Sequence, residues 1–421
     1  MGGPDDVARP VLGEAAAGLG SEAGAVAGLG SEAGAVADLA REAATPVLHV
    51  RGRVILDDTT EVGELWCVGG RVTFERPRHS GEVTTIEGWA VPGLVDVHCH
   101  VGLGPQGAVD AATAERQART DRDAGTLLIR DAGSPSDTYW IHERADLPRL
   151  IRAGHHLARP MRYLRGYARE LADVRDLPAV VAEEARRGGG WVKLIADWID
   201  RDLGSEADLR PLWSDDLLAD AIAAAHAEGA RVTAHTFSTE ALPGLLAAGI
   251  DCLEHGTGLT PELVEEVARR GIPVTPTLLQ IGQFEAIAAQ GAADYPAFAE
   301  RMRWLHARRY EHVRDLHDAG VQLLVGTDAG GTIGHGRLPH EAAELVSAGI
   351  PAAEVLAMAS WRTRAFLGVP GLAEGASADL VVYGADPRAD IRVLAAPRAV
   401  VLHGRLPLDL PSGRQRRMIG A

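Results

Sequence analysis

The chain has almost no lysine. Among its 42 lysines and arginines, Lys193 is the one lysine. An arginine-favouring composition explains the surface, where either cation stays in water. It does not explain why one position keeps an amine. Arginine does not lose its proton in a protein, whereas a buried lysine becomes a neutral, nucleophilic amine. The exception points to chemistry that needs a free amine. The plain alternative is a packed stem with its ammonium in water.

Cysteine is also scarce. Cys67, Cys99 and Cys252 are far apart and form no CxxC pair, which argues against a disulfide framework and for a reducing cytoplasm. No apolar run approaches the roughly 18 residues needed to cross a bilayer. The first residues lack the basic start and apolar core of a secretory signal, so no membrane partner is expected. A formal charge of −16 disfavours polyanions, and nucleic acid is not expected as a partner. The short basic run Arg414 to Arg417 reads as a solvated end. What remains, 46% hydrophobic and 24% charged residues, is the ordinary composition of a globular enzyme. The 421 residues suit a (β/α)8 barrel of about 250 residues plus a smaller module.

Residues 1–45 are of low complexity: the unit GLGSEAGAVA at 18–27 repeats identically at 28–37. Ten residues are too few for a solenoid repeat, and this segment reads as a disordered leader. Short β-prone pieces then fill 46–91, and similar material returns at 373–412 before a tail at 413–421. Two β-rich ends flanking a βα-repeating middle predict a small β-sandwich assembled from both termini. Between them, at 92–372, eight strand-like runs alternate with helical patterns: 94–100, 126–131, 155–159, 191–196, 231–237, 251–255, 272–279 and 321–328. That count is the (β/α)8 count. The fold class is therefore α/β, a TIM-type barrel with a β-sandwich.

In such barrels chemistry stands at the C-terminal ends of strands. The first run ends in His98-Cys99-His100. Alternation along a strand points i and i+2 the same way, so both imidazoles face the barrel mouth while Cys99 faces the helices. Imidazole pairs of this kind suit Zn, Mn, Fe or Co. The fourth run carries Lys193, the fifth ends in His235, the sixth in His255 and the eighth in Asp328. A single one of these is readily a hydrogen-bonded core histidine, or for Asp328 a helix cap. All six at strand mouths of one barrel point to a metal centre.

The segments PGLVDVHCH, VKLIAD, TAHTF, LEHG and GTDAG, in this order, resemble the amidohydrolase superfamily over roughly residues 46–410. The resemblance implies a carboxylated Lys193, made from CO2, that bridges two divalent metals, with zinc favoured. It also implies that His98, His100 and Asp328 hold one metal and His235 and His255 the other. Within the superfamily the chain looks most like the prolidase-like group, which cleaves Xaa-Pro, Xaa-Arg and N-acyl amino-acid amides. A carbamate supplies a negative two-oxygen bridge that neutral imidazoles do not, and arginine cannot form one. The mechanism expected is attack of a metal-bound hydroxide on a small amide, with Asp328 as proton shuttle.

Substrate residues are harder to read. In the loop after the eighth run, Arg337 is a candidate to grip a carboxylate and His335 to hydrogen-bond the reacting group. Tyr167, with Tyr163 and Arg165, is a weaker candidate in the loop after the third run. Asp96 is a candidate to orient a ligand histidine. His142, His155, His156, His306, His312 and His317 read as structural or exposed. The competing functions are a mononuclear deaminase or cyclic-amide hydrolase with an uncarboxylated Lys193, a metal-free Schiff-base lyase, and a scaffold without activity. The lyase leaves four histidines without a role. Metal content separates the first from the two-metal reading. Assembly into a homo-oligomer stays open.

Overall fold

The computed structural model describes residues 47–407. The leader, with its repeat, and the basic tail lie outside the described residues. The described chain opens with β1 (Val47–Ile55), β2 (Glu61–Val68), β3 (Arg71–Thr73) and β4 (Val83–Pro92). One residue, Gly93, then leads into β5 (Leu94–Cys99).

The middle of the chain alternates as expected. After a two-rung ribbon of β6 (Leu103–Gly104) and β7 (Gly107–Ala108) come α1 (Ala111–Asp123) and β8 (Thr126–Asp131). Next are β9 (Arg149–Arg152), β10 (Leu157–Ala158), β11 (Arg169–Glu170) and α2 (Leu177–Arg187). Then follow β12 (Trp191–Ile195), a hairpin of β13 (Asp197–Ile199) and β14 (Leu209–Pro211), and α3 (Asp215–Ala227). β15 (Arg231–Thr236), α4 (Leu242–Ala248), β16 (Cys252–His255), α5 (Pro261–Arg270) and β17 (Val274–Thr275) complete the parallel strands. Helices α6 (Leu278–Ile281), α7 (Phe284–Gly291), α8 (Pro296–Asp318), α9 (Leu338–Ser347), α10 (Ala352–Met358) and α11 (Trp361–Phe366) lead to β18 (Leu380–Tyr383) and β19 (Ala399–Val401).

Local chemistry explains these boundaries. In α5, Thr260 caps the Leu263 amide, Pro261 occupies the first turn, and Gly271 ends the helix in the left-handed region. Its apolar stripe buries Val264 and Val267, each worth about 1.5–3 kcal/mol on leaving water.

The parallel strands form two sheets, β5-β8-β9 and β11-β10-β12-β15-β16-β17. Three expected strands differ. The third is two pieces: Arg149–Arg152 pairs with β8, and Leu157 pairs with Leu194 of β12. The seventh is cut to Val274–Thr275, because Pro273 and Pro276 flank it and lack the amide a ladder needs. The eighth is an extended segment rather than a strand, with isolated bridges Val274↔Leu323 and Cys99↔Ala329. It donates from Leu324 N to Val274 O (2.9 Å) and accepts from Val97 N on Val325 O (3.0 Å). Gly326 is squeezed there: a Cβ would lie 2.6 Å from His98 Cβ and from Thr275 Cγ2.

The two chain ends do meet, but in one sheet of order β19-β18-β4-β1-β2-β3. β1 pairs with β4 in parallel and β18 with β4 antiparallel. The far edge curls back, since Val72 N donates to Ala376 O (2.9 Å) and Ala378 N to Gly70 O (2.9 Å). Inside this curl Leu48, Val50, Ile86, Leu380, Val382 and Val401 form a separate buried core. The expected sandwich is thus a single sheet rolled on itself, as the strong twist of sheets allows.

Candidate metal centre

The parallel strands carry polar groups to one place. His98 lies on β5 and His100 just past its end, Lys193 lies on β12, His235 on β15, His255 closes β16, and Asp328 ends the extended segment. Asp328 Oδ1 is 3.2 Å from His98 Nε2 and 3.1 Å from His100 Nε2. Lys193 Nζ is 3.2 Å from His98 Nε2. His255 Nε2 is 3.0 Å from His235 Nδ1, and the His98 and His255 rings are 5.0 Å apart. The five cations and imidazoles are buried, and Asp328 is half-buried.

Strand register alone does not produce this. Pairing sets His235 opposite Glu254, and Thr236 opposite His255, so Glu254 shares the inner face and His255 falls on the other. The backbone of His255 is left-handed, φ 66°, and brings its ring back beside His235. Asp328 is also left-handed, φ 58°. Each such conformation costs a non-glycine residue about 1–2 kcal/mol.

The far side of three of the four rings faces a polar group, whereas His235 Nε2 is buried with no hydrogen-bond partner. His98 Nδ1 lies 2.9 Å from Glu254 Oε2, His100 Nδ1 donates to Gly133 O at 2.6 Å, and His255 Nδ1 pairs with Thr277 Oγ1 at 2.7 Å. A proton on Nδ1 leaves the Nε2 lone pair free for the centre. Glu254, fully buried, also takes bonds from Arg130 and Thr233. Burial opposes its charge, but Arg130 and His98 hold its carboxyl well below the usual range. Arg130 in turn stacks 4.5 Å over Trp191. Burial lowers the Lys193 amine from its ordinary value, and burial takes His235 and His255 well below theirs. Burial raises Asp328, but the His98 and His100 imidazoles outweigh it and keep the carboxylate ionised.

These donors fit a divalent metal. The ligand atoms of His98, His100 and Asp328 lie within 4.8 Å of one another. They are imidazole nitrogen and carboxylate oxygen, the usual set for zinc-like ions.

A model of the amidohydrolase family matches residues 89–406. The chain belongs to the amidohydrolase family. It is 53% identical over 358 residues to an uncharacterized protein of Mycobacterium tuberculosis (strain ATCC 25618 / H37Rv), covering 85% of this chain and 95% of the relative. A protein of Mycobacterium bovis gives the same figures. Among solved structures, an Xaa-Pro dipeptidase with bound methionine superposes with a TM-score of 0.72 at 20% identity, covering 86% of this chain and 99% of that one. The ochratoxinase of A. niger does so at 0.70 and 20%, covering 86% and 95%. These likenesses carry the fold: α/β of TIM-barrel type with an additional domain. The amidohydrolase is thus a metal-dependent hydrolase acting on C–N bonds.

Above the cluster the amidohydrolase has a cavity of about 450 Å³ with His100, His235 and Asp328 among its lining residues. Tyr167 and Tyr163 line it as well. His335 and Arg337 do not. His335 turns to the outer face of β5, where its Nδ1 is 2.7 Å from Asp121 Oδ2 and 3.7 Å from Cys99 Sγ. Arg337 is exposed at the start of α9. Arg165 lies in a separate surface groove. Asp96 does not hold an imidazole. It accepts from the His98 and Thr327 amides (3.1 Å each) and the Thr327 hydroxyl (2.6 Å), tying β5 to the extended segment.

Sequence reasoning passed over two residues. Glu254 stood inside LEHG, where alternation counted from the adjacent His255 places it outward; the pairing with His235 and the left-handed His255 reverse that. His156, read as structural, is buried beside His100, with ring centroids 5.5 Å apart and neither nitrogen bonded.

Proposed function

We propose that this amidohydrolase holds two divalent metals, zinc being favoured, and cleaves a small amide of the dipeptide or N-acyl amino-acid kind. The observation that carries the reading is the amine of Lys193. It is buried, burial eases the loss of its proton, and it abuts His98 among four imidazoles and a carboxylate. Addition of that amine to CO2 forms an N–C bond and releases one proton, giving a carbamate with two oxygens. His98, His100 and Asp328 would hold one metal and His235 and His255 the other, with a carbamate on Lys193 available to both. When bound, the metals supply Lewis acidity and a water acidic enough to react near neutral pH. Asp328, beside both His98 and His100, would accept a proton from the attacking water and return it to the leaving nitrogen. Tyr167 contacts substrate from the cavity wall.

The same reading closes the two parallel sheets into one (β/α)8 barrel through the 321–329 segment, over 92–372, with 46–91 and 373–412 forming the second domain. A cytoplasmic enzyme acting on small molecules follows from this and from the composition.

A screen of Zn- and Mn-loaded protein against dipeptides and N-acyl amino acids, run beside metal analysis, tests the proposal. Two metals per chain and turnover of at least one amide are expected. One metal per chain would favour the mononuclear reading, and no turnover with any metal would sink amide hydrolysis.

A further inference from the structure

The cavity differs in character from the cluster at its floor. Its wall is aromatic and aliphatic: Tyr163, Trp198, Phe237, Ile287, Phe298 and Met302 face it. That wall is preformed. Phe237, Phe298 and Met302 belong to a buried cluster that ties the hairpin β13–β14 to α6–α8, with Ile287 and Trp198 packed against it. Phe237 stacks edge-on with Phe284 at 4.8 Å, and Tyr163 with Trp198 at 4.7 Å. A space of about 450 Å³ falls within the range that encloses a small ligand.

Charge is the second observation. Asp328 is the one carboxylate on the lining, and the centre already engages it. The one guanidinium is Arg201, exposed on the short turn after β13. The other polar side chains above the floor are mostly neutral, including Gln280, Gln283 and Gln290. A cationic side chain entering here would lose water without gaining a counter-ion, which is costly. A bulky apolar group would replace water against a ready apolar wall. A carboxylate at the rim would meet Arg201.

We infer that the cavity takes an amide bearing a bulky apolar or aromatic group, with its carboxylate toward Arg201, and rejects arginine- and lysine-bearing amides. The inference rests on the amide-hydrolase reading and narrows it.

The test uses the metal-loaded full chain and two matched pairs, N-acetyl-phenylalanine with N-acetyl-arginine, and Phe-Pro with Arg-Pro. The pairs place the varied side chain on either side of the amide. In at least one pair the apolar member should lead by about tenfold or more in kcat/KM. Gln283→Glu should narrow that lead through faster cleavage of the arginine member. Equal or better cleavage of the arginine member in both pairs overturns the inference. If nothing is cleaved, the hydrolase reading fails, and the cavity is judged by thermal shift. Stabilisation by phenylalanine but not arginine supports the apolar site; stabilisation by arginine, or by neither, overturns it.

Discussion

At the scale of single residues, the centre depends on groups that no neighbour can replace. Lys193→Ala should lose metal and activity together, with partial return on adding a short-chain carboxylic acid, read by metal analysis and turnover. Asp328→Asn should fold normally and lose about 10²–10⁴-fold in kcat; turnover near that of the parent would remove Asp328 from proton transfer. Glu254→Gln leaves Arg130 buried beside a neutral amide and one acceptor oxygen where His98, Arg130 and Thr233 now face two. Metal affinity should fall about 10–100-fold and stability by about 3–5 kcal/mol, measured by metal titration and chemical denaturation. Five of the six central residues were legible because each is polar at the end of an apolar run, and Lys193 because it is the one lysine. Glu254 was not, because its neighbour His255 leaves the alternation through a left-handed backbone that residue type does not announce. His335 and Arg337 sit in a loop, where nothing periodic tells inward from outward.

At the scale of elements, parallel strands with caps and glycine-ended helices were readable, and irregular ones were not. Pro273 and Pro276 cut β17 to two residues, and β10 pairs at a single rung with β12. The extended segment at 321–329 looked like a strand by its apolar run. It forms only isolated bridges because Gly326 and a left-handed Asp328 break the ladder. Gly326→Ala should press a methyl on His98 and Thr275. Overpacking of that kind costs about 1–3 kcal/mol. Because the pressed atom belongs to His98, metal affinity should fall with it, whereas a purely structural role would leave affinity unchanged.

At the scale of the whole molecule, stability should depend on pH through His312. Burial takes this imidazole down to about 4 from its ordinary 6.5, and its Nε2 bonds Gly256 O at 2.9 Å. The unfolded chain therefore binds the proton first as pH falls. The stabilisation is whole above pH 6.5 and drains away down to about pH 4, on the order of 3 kcal/mol in all. His312→Gln should flatten that part of the stability profile; an unchanged slope would reassign it to other groups. Composition and two β-rich ends were enough to foresee a second module joined from both termini. They did not reveal that one curled sheet serves where two were expected, since twist and curl are set by pairing between strands as distant in the chain as Pro92 and Leu380.

That pairing fixes an order of events during synthesis. β4 leaves the ribosome early with one edge lacking hydrogen-bond partners. Its neighbour β18 emerges only after nearly all of the α/β portion has been made. Until then the strand presents an open template to other nascent chains, the hazard that exposed edges carry. A transcript ending before Leu380 would make that exposure permanent, and its product should partition into inclusion bodies even though every proposed ligand, from His98 to Asp328, is present.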